Sequence, residues 1–390
     1  MIARSQDPLD FDSSSEEHLV TIQDYLKEKT ALLARAGIDD AETEAFLCFE
    51  DSSGMSRAQI RLSLAKDLSE CLPEEVISRI DDCYTRRAAH EPLAYIVRKA
   101  PFFDLMFSVG PGVLIPRFDT EVLVETALGC LGFPQMIPGA PELPTVRKNK
   151  TERTCNTVTN TGITEFELEG EPPVFLEEPD LHSPVKILDL CTGSGCVGIT
   201  IAHELQKKDI PFDLLMTDIS PEAASYAKEN AERILGSKIG CTWQVIVTDL
   251  WPKITPAGTS DDRSSDEAYC KEKFDLIVSN PPYVTKEEMA ELMPEVKDHE
   301  PDLALTDGGD GLLMYRRIAD GLKDFLAPGG VIAVEHGCSQ GEAVREILSA
   351  ALDNTDAEAP DEQDTKASSR TITIKDYGNN DRVTCGRGES

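Results

Sequence analysis

The chain has 390 residues, of which 40% are hydrophobic and 28% charged, and its formal net charge is −33. This length allows two domains that each bury a core, and the sequence lacks a run of about eighteen apolar residues such as a membrane-spanning helix needs. The acidic charge disfavours unassisted binding to nucleic acid, which requires a basic face, but it is compatible with a basic protein partner.

The N-terminal residues 1–18 are acidic and have no apolar core, so they are predicted to be a flexible terminus. They resemble neither a secretory signal nor a transit peptide, and we therefore expect a cytoplasmic protein. The eleven cysteines include no Cys-x-x-Cys pair. We expect free thiols, and neither a disulfide framework nor a metal site.

Residues 19–90 are predicted to form a small all-α bundle. Apolar side chains recur at helical spacing from Leu19 and Ile22 onward. Gly37 suits the end of the first helix, and Pro73 suits the first turn of a later one. No catalytic group is evident in this bundle, so its expected role is packing or the docking of a partner.

Residues 91–115 are predicted to be a β-hairpin linker. Its two β-type runs are 95–97 and 105–109, and Pro101 and Gly110-Pro111 punctuate them. Three later segments, 134–183, 254–270 and 352–369, are polar or acidic with little apolar periodicity. We expect these insertions to be mobile loops, because they cannot bury enough apolar area to offset their ordering entropy.

Residues 116–390 otherwise alternate between strand and helix patterns. The predicted strands are 185–190, 212–217, 243–247, 274–279 and 331–335, and helices are expected at 197–208, 221–235 and 312–326. Such alternation predicts an α/β domain with a parallel sheet and helices on both faces. The runs 371–374 and 382–385 have no helix between them and could close the sheet as an antiparallel hairpin.

A Gly-rich segment follows the first of these strands. It comprises Cys191, Thr192, Gly193, Ser194 and Gly195. Glycines let the backbone approach a ligand, and ligands of open α/β sheets lie beyond the carboxyl ends of the strands. The spacing of glycines 193, 195 and 198 also satisfies the dinucleotide pattern, so this segment by itself leaves a nicotinamide enzyme, a methyltransferase and a structural turn open.

Two acidic residues end the next two strands. Asp218 can accept both ribose hydroxyls of a nucleoside, although a helix N-cap is an alternative role for which Ser220 is better suited. Asp249 ends the following strand, where an adenine is expected. Leu250 or Trp251 could pack on that ring, and a tryptophan here suits the core equally well.

The segment Asn280, Pro281, Pro282 and Tyr283 ends the fourth strand. Methylation of an amide nitrogen is difficult because its lone pair is delocalised into the carbonyl. The Asn280 side-chain oxygen and the Pro281 carbonyl can accept the hydrogens of that nitrogen, two prolines stiffen the loop, and Tyr283 offers a flat face for stacking. A dehydrogenase has no use for this segment, so together with the Gly-rich segment it predicts an S-adenosyl-L-methionine-dependent methyltransferase.

With these residues the chain resembles the PrmC/HemK family of release-factor glutamine N5-methyltransferases. Segments 91–96, 112–121, 300–305 and 309–318 extend the resemblance over most of residues 19–390 outside the insertions. It implies a class I (Rossmann-like) seven-stranded methyltransferase sheet behind a small helical domain. The implied reaction is methyl transfer from S-adenosyl-L-methionine to the glutamine of the Gly-Gly-Gln motif in peptide-chain release factors.

The resemblance also implies site residues. It implies that Cys191 to Gly195 form the cofactor-binding loop and that Asp218 is the acidic residue that binds the ribose. Asp249 and Leu250 would lie beside the adenine. Asn280 to Tyr283 would form the clamp that holds the substrate glutamine, and Asn280 would also lie near the cofactor. We expect a monomer with release factors as its partners. The main alternative is an N6-adenine methyltransferase of DNA or RNA, since it uses the same clamp, but the acidic charge disfavours it. A second alternative is a cofactor-binding protein without catalysis, which the intact clamp disfavours.

Overall fold

The computed structural model describes residues 20–133, 155–159, 162–166, 184–253, 273–353 and 370–389. The predicted flexible terminus 1–18 lies outside these residues. The chain divides into two compact units, Met1–Val97 and Arg98–Ser390. Among the described residues, none of the helices combines the length and the apolar character that crossing a membrane would need.

The first unit consists of helices. They are α1 (Ile22–Arg35), α2 (Ala41–Ser53), α3 (Arg57–Ser63), α4 (Leu68–Cys71), α5 (Glu74–Ala88) and α6 (Leu93–Val97). Side chains that accept backbone N–H groups fix several starts: Thr21 caps α1, and Ser56 forms a capping box with Gln59 at α3. The buried Tyr84 hydroxyl donates to the Ala45 carbonyl at 2.6 Å, which joins α5 to α2 across the core.

The prediction of a β-type run at 95–97 was wrong, because these residues form the end of α6. The Pro92 carbonyl accepts the N–H groups of Tyr95 and Ile96, so a helical turn begins directly after this proline. Tyr95 is buried. The strand propensity of residues 95–97 was therefore outweighed by tertiary packing and by the helix start at Pro92.

The second unit opens with a β-hairpin of β1 (Lys99–Phe102) and β2 (Leu105–Ser108). The predicted hairpin therefore exists, but its first strand begins later than expected. Pro101 lies within β1 rather than between strands. A two-stranded ribbon tolerates proline because only one side of each strand has a partner.

The segment 134–183 contains a second hairpin, β3 (Cys155–Thr159) paired with β4 (Gly162–Phe166). These ten residues differ from the loop that was expected there. The rest of this segment, all of 254–270, and residues 354–369 of the third predicted insertion lie outside the described residues. Asp353, just before that gap, is the last residue of a helix.

A seven-stranded sheet organises the second unit. Its strands are β5 (Val185–Leu190), β6 (Phe212–Asp218), β7 (Cys241–Val247), β8 (Phe274–Ser279), β9 (Leu326–Glu335), β10 (Thr371–Lys375) and β11 (Asp381–Arg387). The order is β10-β11-β9-β8-β5-β6-β7. Strands β5 to β9 are parallel, whereas β11 pairs antiparallel with both β9 and β10. The predicted class I sheet and its closing hairpin are both confirmed.

The helices of this unit connect the strands. They are α7 (Glu121–Cys130), α8 (Cys196–Lys207), α9 (Pro221–Ile234), α10 (Pro294–Lys297), α11 (Asp302–Leu305), α12 (Leu313–Phe325) and α13 (Gly341–Asp353), with 3-10 turns at Phe118–Thr120 and Glu288–Ala290. Side chains of α12 and α13 share one apolar cluster with those of β5, β8 and β9. Burial of both faces explains why β5 and β8 are almost continuously apolar.

Candidate active site

A cavity of about 160 Å³ lies at the carboxyl ends of β5, β6, β7 and β8. Nine of the predicted site residues line it: Cys191, Thr192, Gly193, Ser194, Asp218, Asp249, Leu250, Asn280 and Pro282. Gly195, Pro281 and Tyr283 are not part of its lining. The parallel sheet thus brings together side chains from four separate strand ends, as the topology of open α/β sheets dictates.

The Gly-rich segment turns sharply from β5 into α8. Cys191, Gly193 and Gly195 all have a positive φ, and Gly195 is the N-cap of α8. A side chain at 195 would meet only the end of the Ile199 side chain, so glycine is favoured there mainly by the positive φ.

The buried Asp189 carboxylate fixes this turn. Its Oδ2 accepts the Thr192 hydroxyl at 2.5 Å and the Gly198 N–H at 3.0 Å. Burial raises the pKa of Asp189 to about 7. Asp189 also lines the cavity, although no site role was predicted for it.

Asp218 connects two cavity loops. Its Oδ2 accepts the Gly193 N–H at 2.8 Å and its Oδ1 accepts the Ser220 N–H at 2.9 Å. Burial raises the pKa of this carboxyl group. Ser220, as expected, is the N-cap of α9 and accepts the Ala223 N–H.

At the end of β7, Asp249 and Leu250 line the cavity, whereas Trp251 belongs to the core. The Trp251 ring stacks on Phe325 with centroids 4.7 Å apart, and its indole N–H donates to the Arg317 carbonyl. Asp249 forms an ion pair with Arg317, with Oδ1 and Nη2 2.8 Å apart. Leu250 is thus the apolar side chain that this strand end offers to the cavity.

The 280–283 loop is held from several sides. The Asn280 Nδ2 group donates to the Thr120 hydroxyl oxygen at 3.1 Å, and no partner for Asn280 Oδ1 is found in the described part of the chain. The Tyr283 hydroxyl donates to Glu335 Oε1 at 3.4 Å, and the Tyr283 carbonyl accepts from Gln340 at 3.0 Å. The ring of Tyr283 packs against the core cluster, so its predicted stacking face lies behind the loop rather than along the cavity.

Gly311 supports this loop from outside. Its φ is +73°, and a methyl group at this position would overlap the Tyr283 carbonyl oxygen. We expect Gly311→Ala to lower the free energy of unfolding by about 2–4 kcal/mol, because backbone strain and steric overlap add. Urea unfolding followed by circular dichroism measures this change.

Gly308→Ala is the matched control for that substitution. Gly308 has a φ of +75° but no atom within 4 Å of the added methyl group, so only the strain of about 1–2 kcal/mol is expected. Equal losses for the two variants would show that the overlap with Tyr283 costs nothing.

Several cavity residues were not predicted as site residues. Val113, Arg117 and Thr120 precede α7, and Pro301 and Leu303 lie around the start of α11. Segments 112–121 and 300–305 had been noted only for their family resemblance. The Arg117 guanidinium and the Ile115 N–H both bond the buried Glu300 carboxylate, which ties the two segments together.

The cavity fits a nucleoside with an amino-acid tail. Ser194 Oγ is buried in its wall and has no partner within the described residues, so a polar ligand atom can bond it. Asp218 and Asp249 provide acceptors for hydroxyl and amino groups. Val113, Leu250 and Met314 provide apolar surface for a ring.

Comparison with known proteins agrees with this site. Residues 24–97 match the family described as PrmC N-terminal domain, and residues 174–317 match the methyltransferase small domain. The chain is 33% identical to a release factor glutamine methyltransferase of Clostridium acetobutylicum, over 71% of this chain and 73% of that protein. A protein of the same name from Cereibacter sphaeroides is 31% identical over 84% of this chain and 90% of its own length.

A "Bifunctional methyltransferase" of Rickettsia felis is 31% identical over 84% of this chain but only 53% of its own length. The chain thus spans about half the length of this relative, whereas it covers most of the C. sphaeroides protein. The matches include both the helical unit and the unit that contains the cavity. By its sequence and its fold, this chain belongs to the release factor glutamine methyltransferase family.

Proposed function

We propose that the chain transfers a methyl group from S-adenosyl-L-methionine to the side-chain amide nitrogen of the glutamine in the Gly-Gly-Gln motif of peptide-chain release factors. The observation that carries this proposal is the orientation of Asn280. Its nitrogen is occupied by Thr120 and its oxygen has no partner among the described residues, so it offers an acceptor to an N–H group in the cavity.

Residues of three strand ends would hold the cofactor. Thr192, Gly193 and Ser194 form the wall for its amino-acid part, Asp218 takes the ribose hydroxyls, and Asp249 with Leu250 flanks the adenine. When bound, S-adenosyl-L-methionine supplies an activated methyl group on a sulfonium. The protein therefore has to supply mainly position and hydrogen-bond acceptors.

The 280–283 loop would hold the substrate amide. Asn280 Oδ1 and the Pro281 carbonyl accept its two hydrogens, which directs the nitrogen lone pair away from the loop and toward the cofactor side of the cavity. Pro282 keeps the loop stiff and provides no competing donor. Tyr283 would fix the end of the loop through its bonded hydroxyl and carbonyl. Alignment of the reacting groups then provides most of the rate.

The helical unit is the proposed docking domain for the release factor, and the cytoplasm is the proposed place of the reaction. Residues 24–97 match the family described as PrmC N-terminal domain. The formal charge of −33 suits a basic surface on the protein substrate.

Mass spectrometry of a release factor before and after incubation tests the proposed reaction. We expect a gain of one methyl group on the Gly-Gly-Gln glutamine, and no gain on a release factor whose glutamine is replaced by alanine. Transfer of labelled methyl to DNA or RNA in place of the release factor would refute the proposal in favour of an adenine methyltransferase.

A further inference from the structure

Asn230 is a fully buried polar residue of α9 that does not line the cavity. Its side chain bonds two segments that lie far apart in the sequence. The oxygen Oδ1 accepts the Ser108 N–H at 2.7 Å, while Nδ2 donates to the Ser108 carbonyl at 3.0 Å and to the Ser194 carbonyl at 2.9 Å. Asn230 therefore joins the end of β2 to the Gly-rich segment.

The partners of Asn230 determine which way its amide points. A backbone N–H can only donate, so the atom that faces the Ser108 nitrogen must be the oxygen. Arg233 donates to the same oxygen at 2.8 Å, and a guanidinium has no acceptor. Both hydrogens of Nδ2 then go to the two carbonyl groups, so the amide cannot turn over without losing its bonds.

One face of α9 runs along the chain segment that follows β2. Glu222, Tyr226 and Asn230 are spaced four residues apart and share this face. A Cβ atom at Gly110 would meet the Tyr226 hydroxyl, and one at Gly112 would lie 3.2 Å from the Cβ atom of Glu222. The segment is therefore packed closely along the helix, and Asn230 bonds it at its start.

The two segments that Asn230 joins continue into the lining of the cavity. Gly112 and Val113 line it after β2, and Gly193 and Ser194 line it after β5. A methyl carbon of Val113 lies 3.9 Å from the place that a Cβ atom at Gly193 would take, so the two lining segments are neighbours. Their relative position thus depends on the bonds of Asn230.

We propose that Asn230 is a positioning residue for S-adenosyl-L-methionine, because it fixes segment 112–114 relative to segment 192–194 and thereby sets the affinity for the cofactor. It acts through the backbone of Ser108 and Ser194 and does not touch the ligand. Walls that the fold holds in place bind more tightly, since less ordering remains to be done on binding. The inference concerns the cofactor alone and does not depend on which substrate receives the methyl group.

Asn230→Leu tests these bonds with a side chain of similar size. We expect the Kd for S-adenosylhomocysteine, measured by calorimetric titration, to increase about 10- to 100-fold, because the two lining segments lose the hydrogen bonds that hold them together. In turnover, the KM for the cofactor should increase by the same factor, whereas kcat at saturating cofactor should change little. A loss of folded protein alone would lower kcat and leave KM unchanged.

Thr384→Val is the matched control for the loss of a buried polar side chain. Thr384 is equally buried, and its hydroxyl contacts His336 Nε2 at 3.0 Å and the Thr373 hydroxyl at 3.1 Å. It lies in β11, which β9, β8 and β5 separate from β6, and it does not line the cavity. This variant should unfold at a lower temperature and bind cofactor like the wild type. An equal increase in Kd for both variants would overturn the inference.

Asn230→Asp tests the donors of this side chain alone. The carboxylate can still accept the Ser108 N–H and the Arg233 guanidinium, but it cannot donate to the Ser194 carbonyl. We therefore expect an increase in Kd here as well. Wild-type affinity in either folded variant would show that the bonds of Asn230 do not position the cavity walls.

Hydrogen exchange of the wild type covers the case in which neither variant folds. The Ser108 N–H is bonded by Asn230, and Ser108 does not line the cavity. Saturating S-adenosylhomocysteine should slow exchange at Ser108 more than at Thr384, because the ligand holds the segments that Asn230 joins. Equal slowing at both amides would contradict the inference. Absence of release-factor methylation would refute only the proposed function, since titration and exchange both report cofactor binding.

Discussion

Asn280→Ala is expected to lower kcat for release-factor methylation about 100- to 1,000-fold, the range found when one preorganised hydrogen-bonding group at a reacting centre is removed. Alanine removes the Asn280 oxygen, which would leave the substrate amide with one of the two proposed acceptors. Cofactor affinity should change only a few-fold, since Asn280 is one of many residues that line the cavity. Single-turnover kinetics with labelled cofactor measure the first quantity, and calorimetric titration with S-adenosylhomocysteine measures the second.

A thermal unfolding curve is the control for the Asn280 variant. Asn280 donates only one hydrogen bond to the described residues, so the midpoint should fall by only a few degrees. A variant that binds cofactor, melts normally and still turns over within about three-fold of the wild type would remove Asn280 from the mechanism. That outcome would favour a cofactor-binding protein without this catalytic clamp.

Asp218→Ala is expected to raise the Kd for the cofactor about 100-fold or more. The substitution removes the acceptor of the Gly193 and Ser220 N–H groups, and hydrogen bonds to a charged group contribute about 1.5–3 kcal/mol each. Loss of both would loosen two loops that line the cavity, besides removing the proposed contact to the ribose. Calorimetric titration gives the Kd, and a factor of ten corresponds to about 1.4 kcal/mol.

Asp209→Ala is the matched control for Asp218. Asp209 pairs with Lys238 on the surface, its side chain is 86% exposed, and it does not line the cavity. The control should bind cofactor like the wild type. Asp218→Asn should bind the cofactor less well than the wild type but better than Asp218→Ala, because its amide oxygen can still accept one of the two backbone N–H groups whereas its amide nitrogen cannot accept the other. Wild-type affinity in Asp218→Asn would contradict the role of the carboxylate.

The periodic pattern of apolar residues was sufficient to predict most of the sheet. Strands β5 and β8 were predicted with their observed bounds, because strands buried on both faces appear as continuous apolar runs. Strand β9 begins earlier than predicted, at Leu326, since Pro328 and two glycines obscure its start. The strand expected at 95–97 failed because three residues are too few to separate a strand from a helical turn.

The sequence also predicted which strand ends contribute to the cavity. Parallel strands point their carboxyl ends to the same edge, so Asp218, Asp249 and Asn280 were expected together without knowledge of any distance. The roles of Leu250 and Trp251 were left open. Only packing resolved them, because a tryptophan that stacks on Phe325 and one that faces a ligand have the same local sequence.

By itself, then, the sequence determined the alternation of elements, the edge of the sheet that holds the cavity and the residues of the 280–283 loop. Only the tertiary structure decided that Thr120 accepts a hydrogen bond from the Asn280 amide, and that Arg317 pairs with Asp249. The physical reason is sequence distance: Thr120 and Asn280 are 160 residues apart, and their contact depends on how α7 packs beside β8 and β9. Local patterns record which face of an element is buried, but the partner on the other side of a hydrogen bond is fixed only when the elements are assembled.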